Sequence, residues 1–383
     1  MVKLSDIFTL QMGKTPARAK SSYWNDGSNS WVSISDLSTF NKYVGKTKET
    51  ITDLAVVESG IKPVPADTVI MSFKLSLGKT AITVSPVYTN EAIMAFIPNG
   101  KYEVDPNYFY HLFSGRDWTK GTNRAVMGVT LNKATLNDIE VSLPAIAEQR
   151  EIAANLDKVD ELIFLRKQQL EQLEELVKAR FIELFGDPVR NEKNWPIATL
   201  GDVAEIRIGP FGTLLHKEDY IIGGHALVNP SHIVDGIIRT DEKLTISDKK
   251  YNELSAYHLA VGDVVLGRRG EMGRCAVVYE DGLLCGTGSM VIRPNEKMKP
   301  YFLQNIISSP AYKKIIEDKA VGVTMMNLNV PIVSSLTIPL LPVDMQEQFI
   351  VFMQQTDKSK LAVQQSIAEL EELKKSLMQR YFG

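Results

Sequence analysis

The chain has 383 residues, 44% of them apolar and 23% charged, an ordinary soluble globular composition with enough length for two or more domains. With 43 Lys and Arg against 46 Asp and Glu, its net charge of −3 excludes a whole-protein basic field, so any nucleic-acid surface must be a local patch. No run of 18 apolar residues offers a membrane span, MVKLSDIFTL has no signal-peptide pattern, and Cys275 and Cys285 make no disulfide framework, so a cytoplasmic setting is expected.

Residues 1–143 mix short strand-like runs (TVIMSF, KTAITV, EAIMAFI) with turn clusters such as NDGSNS and PNGKYEVDPN. A helix is expected from Pro106 to Phe113 and onward. Pro144 then opens a long helical pattern in which Leu156, Ile163, Leu170, Val177 and Leu184 recur every seven residues. A second row runs through Val159 and Leu173, interrupted by Arg166 and Arg180. Residues 148–185 would make a rod of roughly 55 Å at about 1.5 Å per residue. Nine acids and six bases lie between Glu148 and Phe185, so this helix carries the whole net deficit.

Phe185-Gly186-Asp187-Pro188 stops the helix, because glycine suits its C-terminal end and proline forbids continuation. Val189–Trp195 reads as a linker, and a second β-rich unit starts near Pro196. From Pro342 a helix returns, with a seam through Val363, Ile367, Leu370, Lys374, Leu377 and Tyr381. The charged gaps in both seams favour a specific helix pair over an open filament. The interface expected from these patterns comprises Leu156, Ile163, Leu170, Leu173, Val177, Leu184, Val363, Ile367, Leu370, Leu377 and Tyr381. The competing reading folds each helix back on its own domain.

The two halves repeat. LSDIFTLQMG at residues 4–13 returns as LGDVAEIRIG at 200–209, an offset of 196 that also relates Ser35 to Ser231 and Asp67 to Asp263. The offset moves by one at Gly78-Lys79 and Gly273-Arg274, and by two at the Gly-Val-Thr segments. Each copy closes with a proline-led helix ending in Phe-Gly, LPAIAEQREI to FIELFG and LPVDMQEQFI to QRYFG, the second entry appearing one residue longer. The fold expected is α+β: two duplicated mixed domains, each followed by a long helix, the helices pairing as an antiparallel coiled coil. The boundaries expected are 1–143, 144–186, 187–340 and 341–383.

Catalytic signatures are lacking. SLGKT at 76–80 has Phe73 where a phosphate-binding loop needs glycine, the five histidines show no metal-ligand spacing, and neither CxxC nor GxSxG occurs. The strongest chemical signal is Gly267-Arg268-Arg269-Gly270-Glu271-Met272-Gly273-Arg274. It places three arginines on a turn between two expected strands, and their planar forks suit guanine edges or phosphates. Ser72, Lys74 and Lys79 occupy the matching turn of the first copy. Short polar groups at Ser33, Ser35, Asp36, Asn229, Ser231 and His232, and at Thr130, Asn132, Thr324 and Asn327, complete the candidate contacts, with Glu271 on the second turn. A solvated, salt-bridged hairpin is the alternative for these turns, and asparagines in loops also cap their own backbone.

The duplication, the helix entries LPAIAEQREI and IPLLPVDMQEQF, the tails EELVKARFIELFGDP and ELEELKKSLMQRYFG, and GDVVLGRRGEMGRCAVV together resemble the specificity subunits of type I restriction-modification systems over essentially the whole chain. The resemblance implies target-recognition domains at 1–143 and 187–340, each reading one half of a bipartite, asymmetric site in double-stranded DNA, with helical conserved regions as spacer. It implies a non-catalytic chain without cofactor. Two methyltransferase (modification) subunits would dock on the helices and bring S-adenosylmethionine, and restriction subunits would bring ATP and Mg. The other function class open to the residues is a duplicated coiled-coil scaffold for protein interactions, without DNA specificity.

Overall fold

In a computed structural model, which describes residues 1–74, 76–118, 124, 125, 128, 129, 131–322 and 327–383, the run TVIMSF forms the strand Val69–Ser72 with every residue buried. It lacks polar alternation because both faces are covered. Val69 and Met71 face one cluster with Phe8, Phe96 and Phe113, while Ile70 faces a second with Val32, Ile93 and Ala95. The strand lies in a four-stranded antiparallel sheet ordered Phe8–Met12, Ile93–Pro98, Val69–Ser72, Thr80–Ile82. A second sheet joins Glu49–Ile51, Asn29–Val32 and Tyr88–Thr89, the last pair parallel. The helix Pro106–Gly115 starts where expected. Asp105 caps it, accepting from the Asn107 and Tyr108 N–H groups, and Tyr108, Phe109, Leu112 and Phe113 pack into the core.

The same frame recurs as Ala204–Ile208, Ser289–Pro294, Val264–Gly267, Cys275–Val277. Phe8 pairs with Pro98 as Ala204 pairs with Pro294, and Trp31 with Tyr88 as Leu227 with Leu284, each 196 residues on. Within the hairpin the offset is 195, since Val69 pairs with Ile82 and Val264 with Val277. This corrects one repeat assignment. Asp67 matches Gly262, not Asp263, because both take left-handed φ (54° and 94°) and donate to the corresponding carbonyls of Thr83 and Val278. Asp263 instead is buried and accepts two hydrogen bonds from Arg293, each 2.7 Å.

Repeated Gly13 and Gly209 have a steric cause. A Cβ there would sit 2.2 Å from the Thr89 carbonyl oxygen in one copy and 2.0 Å from that of Gly286 in the other. Only glycine allows the strand to pass so close.

The long helices span Ile146–Phe185 and Val343–Phe382, 40 residues each. Their entries are equal, which corrects the expected extra residue. Gln149 is buried, accepts from the Asp105 N–H, and donates to the Glu103 and Pro144 carbonyls; Gln346 treats Lys299, Lys297 and Leu341 identically. The glutamine matching Gln149 is therefore Gln346 rather than Gln348. Replacing Gln346 by leucine keeps the volume but strands the Lys299 N–H and two carbonyls, so about 3 kcal/mol of stability should be lost. Urea denaturation would read this directly, and a change under 0.5 kcal/mol, about that of a neutral surface substitution, would contradict the assignment.

The chain divides into two compact units, Met1–Gln168 with Gln364–Gly383, and Gln169–Val363. Each unit thus contains the start of one long helix and the end of the other. In the first, Asn155 meets Tyr381, Asp160 meets Lys374 and Lys167 meets Glu371, so the helices run antiparallel. Lys374, a charged gap in the seam, is filled by this ion pair. Leu156 is fully buried there, with Leu377, Met378, Tyr381 and Phe382 packed on the same core. In the second unit Phe181 and Phe185 at the end of the first helix contact Phe349 near the start of the second, ring centroids 5.4 Å apart in both cases. Ile163 and Val363 are also buried; Leu170, Leu173, Val177, Leu184, Ile367 and Leu370 are half-buried. Leu162, Phe164, Leu165, Leu176, Leu361 and Leu373 lie exposed between them. Among the described residues no helix is long and apolar enough to cross a membrane.

Candidate nucleic-acid interface

The turn after Val264–Gly267 is shaped by Gly270 and Gly273, whose φ values of 80° and 74° favour glycine. It is anchored on both sides: the Arg268 N–H donates to Gly288 O, and the Leu328 N–H donates to Arg268 O, both at 3.0 Å. Gly267 and Gly288 pack against Pro230. The structure therefore brings together four segments far apart in sequence: 229–232, 267–274, 286–288 and 327–328.

The three arginines, alike as candidate contacts in sequence, are not equivalent in the structure. Arg268 Nε donates to Asn327 Oδ1 at 3.0 Å, and burial pulls its guanidinium below the ordinary value, with Arg269 acting in the same direction. Arg274 donates to Glu271 at 2.6 Å and to the Pro230 carbonyl at 3.3 Å. Glu271 also takes Lys313 at 3.0 Å, and these two cations hold its carboxyl below the usual range. Arg269 is exposed and makes no hydrogen bond or ion pair among the described residues. It is the arginine on this turn left available to a partner.

The first unit is assembled the same way. Phe73 donates to Ala92 O at 3.0 Å and accepts from the Leu131 N–H at 3.1 Å. By this anchoring Phe73 stands where Arg268 stands in the second copy, Lys74 where Arg269 stands, and Lys79 where Arg274 stands. Phe73 is buried. Lys74 Nζ lies 5.2 Å from its ring, and Lys79 Nζ donates to Ser38 Oγ at 2.6 Å. Frame and cations recur while the rest of the turn differs.

Several expected contact residues are used internally instead. Asp36 is buried and accepts from Ser33 N–H, Ser33 O–H and Lys48 N–H, closing a capping box. Ser72 is buried, donates to Ser76 O and accepts from the Lys79 N–H at 3.1 Å. His232 is buried with Nδ1 2.7 Å from Leu227 O. Asn229 Oδ1 packs over Gly286, where a Cβ would lie 2.2 Å away. Asn132 caps Lys133–Asn137, accepting from Thr135 at 2.8 Å. Its counterpart is Asn329, which accepts from Ile332 at 2.9 Å, rather than Asn327. Ser35 is bonded by Lys48 Nζ at 2.8 Å, and Ser231 is exposed. Thr130 and Thr324 lie outside the described residues.

Sequence reasoning missed Ser38, Lys48, Lys313 and the Gly286-Thr287-Gly288 loop. Only the last carried a signal, two glycines flanking a threonine between strand-like runs. Burial pushes both cysteine thiols up to about 12, which suits packing rather than reactivity. Among the described residues no cluster of three or more His, Cys, Asp or Glu could hold a metal ion.

A family model described as the type I restriction modification DNA specificity domain matches residues 1–175 and 192–372. The specificity subunit of the type I restriction enzyme MjaIX from Methanocaldococcus jannaschii is 29% identical over 280 residues, 66% of this chain and 64% of that protein, so the alignment spans less than two thirds of that relative. A chain from a structure on complex assembly and conformational transition of the type I R-M system superposes with a TM-score of 0.66 at 19% identity, covering 99% of this chain and 96% of that one. The S subunit of the type I restriction-modification system from M. genitalium gives 0.56 at 14% identity, covering 100% and 95%. At these identities the structural likeness concerns the fold.

Proposed function

Because the chain belongs to the type I restriction modification DNA specificity family, we propose that it is the DNA-reading subunit of such a system and catalyses nothing itself. Each unit reads one half of a bipartite, asymmetric duplex site. The observation that carries this is the repeated hairpin turn, anchored by the same backbone bonds but built from unlike residues, Ser72-Phe73-Lys74 in one unit and Gly267-Arg268-Arg269 in the other, of which Lys74 is half-buried and Arg269 exposed. A duplicated frame with divergent tips suits two different half-sites. Base edges in the major groove supply the distinction, and the lysines and remaining polar groups position the duplex through phosphates.

The paired helices act as the separator between half-sites and as the docking surface for two modification subunits. Support comes from their equal 40-residue lengths and from apolar side chains left exposed on them, such as Phe164 at 53% and Leu361 at 57%. S-adenosylmethionine enters with the modification subunits, which would extrude the target adenine. ATP and Mg belong to restriction subunits.

Arg269→Ala tests the reading. Loss of an exposed guanidinium from the second turn should weaken binding by about 1–3 kcal/mol at one half-site, roughly tenfold to a hundredfold, and relax sequence preference there. Competition between duplexes carrying substitutions in either half would measure it. Equal relaxation of both halves would contradict local readout.

A further inference from the structure

Beside the first reading turn the structure has an open cleft of about 540 Å³ lined by Lys14, Lys62 and Lys133, with one acid, Glu91. Resting on the DNA-reading function above, we infer that this cleft seats the sugar-phosphate backbone flanking the first half-site, with Lys62 and Lys133 as phosphate contacts.

The cleft adjoins the turn through the turn's own anchors. Glu91 precedes Ala92, whose carbonyl accepts from the Phe73 N–H, and Lys133 lies two residues after Leu131, whose N–H donates to Phe73 O. Its wall is fixed: Gln11 Nε2 donates to the carbonyls of Lys62 (3.2 Å) and Pro63 (3.1 Å). Lys14 Nζ is committed to Ser59 O, and Glu91 accepts from the Thr15 hydroxyl. The side chains of Lys62 and Lys133 are exposed, and neither ammonium group makes a hydrogen bond or ion pair among the described residues. Neither ammonium group holds anything in the fold.

The second unit repeats the frame without these cations. Pro210 follows Gly209 where Lys14 follows Gly13. Tyr257 stands at the place of Lys62, because the Val64 N–H donates to Val87 O as the Leu259 N–H donates to Leu283 O. Val330 follows the cap Asn329 where Lys133 follows Asn132. A feature needed for folding would be expected in both copies. Two unpartnered lysines confined to one copy, at the edge of its reading turn, match a phosphate track that extends the contact on that side only.

The test is the salt dependence of DNA binding by the full-length chain purified with its modification subunits, comparing wild type with Lys62→Gln plus Lys133→Gln. Each phosphate contact contributes a slope of about 0.9 in log affinity against log salt, so the double variant should lose about 1.8. Between about 50 and 200 mM salt, wild type should therefore weaken about twelvefold more than the variant. The loss should be the same on cognate and scrambled duplexes. Unchanged slope, with an unchanged melting temperature, would overturn the cleft assignment. Wild type that binds duplexes without sequence preference would instead overturn the reading function, and the slope comparison would still judge the cleft.

Discussion

Inserting seven residues into each long helix, between Gln168 and Gln169 and between Val363 and Gln364, should abolish specific binding to the wild-type site. The heptad keeps both seams in phase, so the pair should still form. It lengthens each helix by about 10.5 Å, close to three base-pair steps at about 3.4 Å each. It turns the helix by only about 20°, whereas three base pairs turn the duplex by about 100°. Under the separator reading, both half-sites of the original sequence can then no longer be met together. Affinity should fall toward the non-specific level, on the order of a thousandfold or more. Duplexes selected by the insertion variant should carry a longer spacer. Retention of the wild-type spacer at wild-type affinity would show that the helices do not set the distance.

Phe349→Ala is expected to be the most damaging single substitution in the second unit. The ring is fully buried among Phe181 and Phe185, both at 5.4 Å, with Phe302 and Phe352 at 6.5 Å. It joins the start of one long helix, the end of the other and the domain helix Pro300–Ser308 into one core. Truncation removes the apolar burial and leaves a cavity, together about 3–5 kcal/mol. Urea unfolding should show this, with Leu361→Ala as comparison. Leu361 sits on the same helix but is 57% exposed, and its loss should stay within about 0.5 kcal/mol. Equal effects would mean the aromatic cluster does not close the unit.

The helices and their pairing were legible because a seven-residue apolar period repeats over four intervals from Leu156 to Leu184, and because Phe-Gly endings mark both C-terminal ends. Strands were legible from apolar runs bounded by turns even where alternation failed, as in Val69–Ser72, since burial on both faces produces that run. Register was harder. The shift from 196 to 195 falls well before the hairpin, since Asn29 pairs with Ile51 and His225 with Ile246, so matching Asp67 with Asp263 by letter misled. Matching the helix entries by their Glu-Gln pairs misled likewise; three hydrogen bonds to Gln346 define the true register.

At the two hairpin turns the residue types were visible but their availability was not. Arg268, Arg269 and Arg274 look alike in sequence. Their difference depends on Asn327, Pro230 and the Glu271–Lys313 pair, partners 42 to 59 residues distant from the turn residues they meet. Capping roles for Asp36 and His232 are equally invisible without the loop geometry, because a polar side chain suits a cap and a base contact alike, whereas for Asn132 capping was one of the two readings open from sequence.

The central claim is that two copies of one frame read two different half-sites at a fixed separation. Sequencing the duplexes that the purified complex selects from a fully random library tests it most directly. The account predicts two unlike blocks of conserved base pairs separated by a gap of constant length and no sequence preference. A single contiguous motif, two identical blocks, or two blocks at freely varying separation would contradict it.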